Sequence, residues 1–269
     1  MSNKIKNLLK KRNKTKIVSL TAYSNHIAKI LDKYCDITLV GDSVANVLYG
    51  MKNTHEINID TIIRHSKSVK KGIKRSIMVV DMPKGSYKTP LQAKKNAKLI
   101  YKKTKCDAVK IESNNKNFEI IKEIRKAKIP VMGHIGFTPQ FKKKFSVEGK
   151  TKIEIKKLIK EAQLIEKAGA FSVVLECLTP HAAKIVTKFL KIPTIGIGSS
   201  ANCDGQILVT DDILGLSGFY PKFVKKYANL NSLIERAVKK YSKEVIRKKF
   251  PNNKNFLYGK WKFKTNFQK

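Results

Sequence analysis

Only 20 of the 269 residues are Asp or Glu, and four of these scarce acids recur at one kind of place. Asp42, Asp81, Glu112 and Glu176 each follow a short apolar run, as do His134 and the pair Gly198-Ser199, and Ser43 comes directly after Asp42. Three carboxylates on successive runs, with no Cys or clustered His beside them, describe a hard oxygen site for Mg²⁺. Such an ion keeps positions open for water or substrate oxygens. A 2-oxo acid fills two of them with its carboxylate and keto oxygens, and the metal then polarises the carbonyl and acidifies the neighbouring C–H. Glu176, a fourth carboxylate held away from the metal, is placed to take that proton as general base. Lys110 is placed to neutralise the substrate carboxylate or the enolate oxygen.

Plainer explanations exist for each of these residues. Asp and Ser are favoured helix caps at strand-to-helix turns, which suits Asp42 and Ser43, whereas Glu112 and Glu176 would be poor caps. His134, taken singly, reads better as a core or loop histidine satisfied by backbone. Lys110 lies between Val109 and Ile111 on one run, so it faces the opposite side from both, and a Lys facing a core is costly unless it meets an anion.

The elements that would position these groups are eight Val- and Ile-rich runs. They are Ile17 to Leu20, Ile37 to Val40, Ile77 to Val80, Ala108 to Ile111, Pro130 to Gly133, Ser172 to Leu175, Pro193 to Gly196 and Ile213 to Leu216. Continuous apolar runs of this length suit strands buried on both faces, as in parallel sheets. Helical periodicity lies between them, for example at Ile27, Ile30 and Leu31 and at Phe118, Ile121 and Ile124, with Pro90 suited to open one helix and Gly169 to follow another. The alternation predicts an α/β fold, and eight βα units in about 250 residues match a single-domain (β/α)₈ TIM barrel, a doubly wound sheet being the other arrangement that alternation allows. In a barrel all the residues singled out above converge at the C-terminal mouth, where barrel active sites are built. We place the catalytic barrel at residues 1–249. Residues 250–269, basic and without an acid, form a loosely held tail that carries the lone Trp261.

The balance of 57 Lys and Arg against 20 acids gives a formal charge of +37. Dense cationic charge ordinarily suggests nucleic acid or an anionic membrane. Here, however, only six of the cations are Arg, and nucleic-acid sites favour the planar Arg fork. Hydrophobic residues make up 42%, enough for a substantial core, so disorder is excluded for most of the chain. No run approaches the roughly 20 apolar residues of a membrane span, and the basic start has no signal-peptide core behind it. Cys35, Cys106, Cys177 and Cys203 are scattered without zinc spacing, which predicts buried free thiols in a reducing cytoplasm.

At the same residues the sequence resembles the 3-methyl-2-oxobutanoate (ketopantoate) hydroxymethyltransferase family. The likeness runs through Thr21-Ala22-Tyr23, Val40-Gly41-Asp42-Ser43, Asp81-Met82-Pro83, Tyr87, Thr89-Pro90, Val109-Lys110-Ile111-Glu112, Gly133 to Gln140, Leu175-Glu176-Cys177, Ile195 to Gly198, Asp204 to Val209 and Pro221-Lys222-Phe223. The resemblance implies a phosphoenolpyruvate/pyruvate-type barrel that hydroxymethylates 3-methyl-2-oxobutanoate to 2-dehydropantoate, the first step of pantothenate biosynthesis. The one-carbon donor would be 5,10-methylenetetrahydrofolate. By the same resemblance Asp42 and Asp81 ligate Mg²⁺ with Glu112 completing the site, Asp42, Ser43, Asp81 and Lys110 contact the oxo acid, Glu176 is the proton acceptor and His134 supports the mouth. The family also suggests a homodecamer. The chain departs from the family pattern in the segment Phe141 to Lys150, which is shorter and ends in Lys where Arg is usual. It departs again at Ser199-Ser200 in place of a small Ala-Gly, and at Asp211 where His is common.

Two other functions compete. A Mg²⁺-dependent carbon–carbon lyase of the isocitrate-lyase type would keep the barrel and metal, but those enzymes carry a nucleophilic Cys on a mobile loop, and the segment after Gln140 has none. A basic nucleic-acid-binding protein would use Lys260, Trp261, Lys262, Phe263, Lys264 and Phe267, where cations and aromatics interleave.

Overall fold

The computed structural model describes residues 2–113, 117–142, 144–218 and 220–256. Eight parallel strands close into one barrel in sequence order: β1 (Ile17–Thr21), β2 (Ile37–Val40), β3 (Ile77–Asp81), β4 (Ala108–Lys110), β5 (Val131–Gly136), β6 (Ser172–Glu176), β7 (Thr194–Ile197) and β8 (Gly205–Leu208). The helices are α1 (Asn3–Leu9), α2 (Asn25–Leu31), α3 (Val44–Val47), α4 (Ile59–Gly72), α5 (Pro90–Thr104), α6 (Asn117–Lys126), α7 (Lys152–Lys167), α8 (Pro180–Phe189), α9 (Thr210–Ile213) and α10 (Leu230–Ile246). Their starts are written locally: Asn58, Thr89, Thr151 and Thr179 each cap a helix by accepting a backbone N–H, and Pro90 occupies the first turn of α5.

Alternation along the strands sorts two apolar layers. Val80, Val109, Ile111, Val131, Val173 and Leu175 pack outward against the helices. Ile17, Ile37, Leu39, Ile77, Val79, Ala108, Met132, Val174, Ile195 and Ile207 fill the barrel interior, with Ile5 and Leu8 of α1 joining them. The same inward rows end in polar residues: Ile77 and Val79 lead to Asp81, Ala108 to Lys110, Met132 to His134, and Val174 to Glu176. The apolar floor therefore excludes water from below while one end of the barrel is left polar.

The eighth strand is not where the apolar runs place it. Ile213 ends α9, and Gly215 turns the chain at φ +75°. Gly205–Leu208 makes the strand instead, and with Gln206 exposed on its outer side it lacks a continuous apolar run. Gly205 is required there by packing, because a Cβ would lie 2.5 Å from the carbonyl oxygen of Ile17. Outside β8 and β1 the barrel is thinly covered: Val18 is 47% exposed. α10 has no buried residue, although Leu233, Ile234, Val238 and Tyr241 form apolar positions along it. Trp261 and the other tail residues from 257 onward lie outside the described residues.

Candidate active site

At the C-terminal ends of the strands a cavity of about 700 Å³ is lined by Asp42, Ser43, Asp81, Lys110, Glu112, His134 and Glu176, together with Asn46, Asp212 and Phe223. Every residue proposed from the sequence for metal, substrate or base therefore shares one space. Ser199 does not: its hydroxyl donates to Leu175 O (2.7 Å) and accepts from Leu178 N–H (3.1 Å), joining the ends of β6 and β7. The extra hydroxyls of Ser199-Ser200 are absorbed by backbone, since Ser200 Oγ accepts from the N–H of Asn202.

Adjacent strands set the geometry. Asp81 lies in register with Lys110, and their side chains form a buried ion pair, Nζ to Oδ1 2.8 Å. The other oxygen of Asp81 accepts from the backbone N–H of Asp42 at 3.0 Å, so β2 and β3 are tied at their ends. Neither Asp42 nor Ser43 caps α3 through its side chain; Ser43 Oγ lies 2.8 Å from the hydroxyl of Tyr23 instead. His134 stands between two carboxylates, with Nε2 3.1 Å from Glu176 Oε2 and Nδ1 3.6 Å from Glu112 Oε1, and neither nitrogen makes an aligned hydrogen bond as the ring stands. Gly136 makes that proximity possible. At φ +95° it lets the end of β5 lie against β6, where a Cβ would come 2.2 Å from Glu176 O.

Burial, then the nearby Asp81 carboxylate, pushes Asp42 up to about 6. Burial and the Asp42 charge hold Glu112 well above the usual carboxylate range. Lys110 moves upward as well: burial opposes its charge, but Asp81, Glu112 and Asp42 together outweigh that cost. Three acids around one ammonium thus make a floor with too much negative charge for its burial. Among the described residues no three His, Cys, Asp or Glu side chains are already arranged to hold a metal ion. Part of the reason is visible at Asp81, whose two carboxylate oxygens are turned toward Lys110 and the backbone N–H of Asp42. Mg²⁺ is commonly held by one or two carboxylates with waters and substrate oxygens completing its shell, so the donor set suits it without a closed cage.

Two residues without assigned roles in the sequence complete the site. Gln140, 1% exposed, donates from its amide to Asp42 Oδ2 (2.8 Å), and Tyr87 donates to the Gln140 carbonyl (2.5 Å). Neither is charged or follows an apolar run, so spacing and charge gave no sign of them. In the segment after Gln140, Lys142 reaches the cavity wall and bonds Gly136 O (2.9 Å) and Glu148 (2.7 Å). Asp211 lies in the first turn of α9 beside Asp212, which lines the cavity.

A family model described as ketopantoate hydroxymethyltransferase matches residues 2–253. The chain belongs to the ketopantoate hydroxymethyltransferase family. It is 51% identical to the 3-methyl-2-oxobutanoate hydroxymethyltransferase of Pelagibacter ubique (strain HTCC1062), over 95% of this chain and 99% of that one. To the enzyme of the same name from Clostridioides difficile (strain 630) it is 47% identical, over 89% and 90%. Solved structures share the barrel at much lower identity. A phosphoenolpyruvate phosphomutase from Streptomyces platensis subsp. rosaceus gives a TM-score of 0.62 at 12% identity, covering 91% of this chain and 87% of that one. A 2,3-dimethylmalate lyase of the PEP mutase/isocitrate lyase superfamily gives 0.59 at 13%, covering 96% and 93%. The likeness to mutases and lyases is one of fold alone, whereas the likeness to ketopantoate hydroxymethyltransferases extends through the sequence. It favours neither a lyase nor a nucleic-acid-binding protein.

Proposed function

We propose that this chain adds a hydroxymethyl group to 3-methyl-2-oxobutanoate, with 5,10-methylenetetrahydrofolate as one-carbon donor, giving 2-dehydropantoate at the first step of pantothenate biosynthesis. The observation that carries the reading is the juxtaposition of a buried acidic floor, Asp42, Asp81 and Glu112 around Lys110, with Glu176 on the cavity wall, its side chain still 16% exposed. A divalent cation relieves the excess negative charge of that floor, and we assign Asp42 and Asp81 as its ligands with Glu112 completing the site. When bound, Mg²⁺ supplies Lewis-acid polarisation of the 2-oxo group.

The rest is done by side chains. Lys110, kept charged by Asp81, stabilises the substrate carboxylate or the negative charge that develops on the oxo oxygen. Ser43, braced by Tyr23, offers a hydroxyl to the oxo acid. Glu176 removes the C3 proton, and His134 lies beside the carboxylate that receives it. The methylene carbon of the donor loses its bonds to N5 and N10 and takes the oxygen of water, whose two hydrogens end on those nitrogens as tetrahydrofolate leaves; C3 bonds to that one-carbon unit, and the proton taken from C3 ends on the new hydroxyl oxygen. A cavity of about 700 Å³ has room for the small oxo acid and a ring of the donor together. The test is turnover of purified chain with each component omitted. Product forms only with both a divalent cation and the folate; sustained turnover in excess EDTA, or product without folate, overturns the reading.

The proposal extends to self-association. The apolar stripe of α10 and the bare outer side of β1 are surfaces that a second copy of the chain would cover. Four buried, unpaired cysteines support a reducing cytoplasmic setting, and no helix among the described residues is long and apolar enough to cross a membrane.

A further inference from the structure

We infer that Gln140 is a positioning residue that holds the two carboxylates Asp42 and Glu112 in the arrangement in which they receive a divalent cation, and that Tyr87 locks it. The inference rests on the metal site proposed above. Gln140 touches both acids by different groups. Its side-chain amide donates to Asp42 Oδ2 (2.8 Å) and to the carbonyl of Met82 (3.1 Å), while its backbone N–H donates to Glu112 Oε2 (2.9 Å). One residue of the segment after β5 thereby fixes one oxygen of an acid at the end of β2 and one oxygen of an acid beyond β4.

The amide can sit only one way round. Reversed, its carbonyl oxygen would meet a carboxylate and the Met82 carbonyl, three acceptors with no donor among them. Tyr87 enforces the working orientation, donating to the Gln140 carbonyl at 2.5 Å while its oxygen accepts the backbone N–H of Glu112 at 3.4 Å. Burial of both residues keeps water from substituting for these bonds. The resulting circuit runs Glu112 N–H, Tyr87, Gln140, Asp42, and returns from Gln140 N–H to the Glu112 carboxylate. Bonds of this type orient metal ligands, and their loss typically lowers metal affinity by about 10- to 100-fold.

The two side-chain links separate by substitution. Gln140→Met keeps the length and the backbone N–H but removes the amide; Tyr87→Phe keeps the amide and frees it to turn. Mn²⁺ binding to the purified full chain, followed by titration calorimetry and by the electron-spin resonance of free Mn²⁺, is the readout, with thermal melts of the metal-free proteins alongside. Gln140→Met is expected to bind Mn²⁺ about tenfold or more weakly and Tyr87→Phe severalfold more weakly. The double variant should lose little beyond Gln140→Met, because both changes act through one amide. Activity of either single variant should recover as the divalent cation is raised to saturation, which a merely structural defect would not show. Wild-type Mn²⁺ affinity in both single variants, or fully additive losses in the double variant, overturns the inference. Should Gln140→Met fail to fold, Tyr87→Phe alone decides it. Absence of Mn²⁺ binding by the wild type is a different result, and it overturns the metal reading beneath.

Discussion

Glu176 and His134 illustrate what single residues settle at this site. The acids were legible because negative charge is rare in the chain and four of its carboxylates fall where barrel strands end. Burial explains why that position is not decorative: Asp81 and Glu112 are almost wholly enclosed. Gln140 and Tyr87 fall within the stretches that carry the family likeness, but charge and spacing gave them no role, since a neutral polar side chain announces its role only through the partners that folding brings to it. The raised Asp42 and Glu112 lead to a prediction with a definite sign. A carboxyl whose folded value lies above its unfolded one binds more protons in the folded state between the two, so the metal-free protein loses stability as pH rises from about 4 through about 6. Cation binding requires the ionised acids and removes their repulsion. Mg²⁺ should therefore raise the melting temperature clearly at pH 7.5 and little at pH 5, as differential scanning fluorimetry at both pH values will show; an equal shift at both would contradict the proposed ligands.

At the scale of elements, the site depends on how closely β5 and β6 approach. Gly136 sits at φ +95° with no room for a Cβ beside Glu176 O, and Cys177 directly after Glu176 takes the left-handed region at φ 54°. Gly136→Ala is expected to destabilise the protein by about 2 kcal/mol or more, combining backbone strain with a backbone clash. Gly85→Ala, also at positive φ but with nothing nearer than 3.7 Å, should cost nearer 1 kcal/mol. Urea denaturation of both separates clash from strain, and equal losses would show that the close approach contributes nothing. The strand order was readable from apolar runs wherever a strand is covered on both faces. It failed at β8, whose outer side carries exposed Gln206 and whose first residue is a glycine chosen for contact with β1.

Over the whole molecule the +37 charge is a background of Lys against which the acidic site stands out. The same scale holds an apolar surface left uncovered among the described residues, the stripe of Ile234, Val238 and Tyr241 on α10. Light scattering after gel filtration should find an assembly of several chains, and Val238→Asp should shift it toward smaller species while leaving the barrel's circular dichroism unchanged; a wild-type monomer would contradict that use of the helix. The central claim, however, is that the barrel delivers a 2-oxo acid to one base. Proton nuclear magnetic resonance of 3-methyl-2-oxobutanoate in D₂O, with Mg²⁺ and no folate, tests it most directly. The wild type should exchange the C3 hydrogen for deuterium, collapsing the methyl doublet, while Glu176→Gln should bind the oxo acid and exchange it about 100-fold more slowly or worse. Exchange at the wild-type rate by Glu176→Gln, or no exchange by wild type with oxo acid bound, would contradict the account.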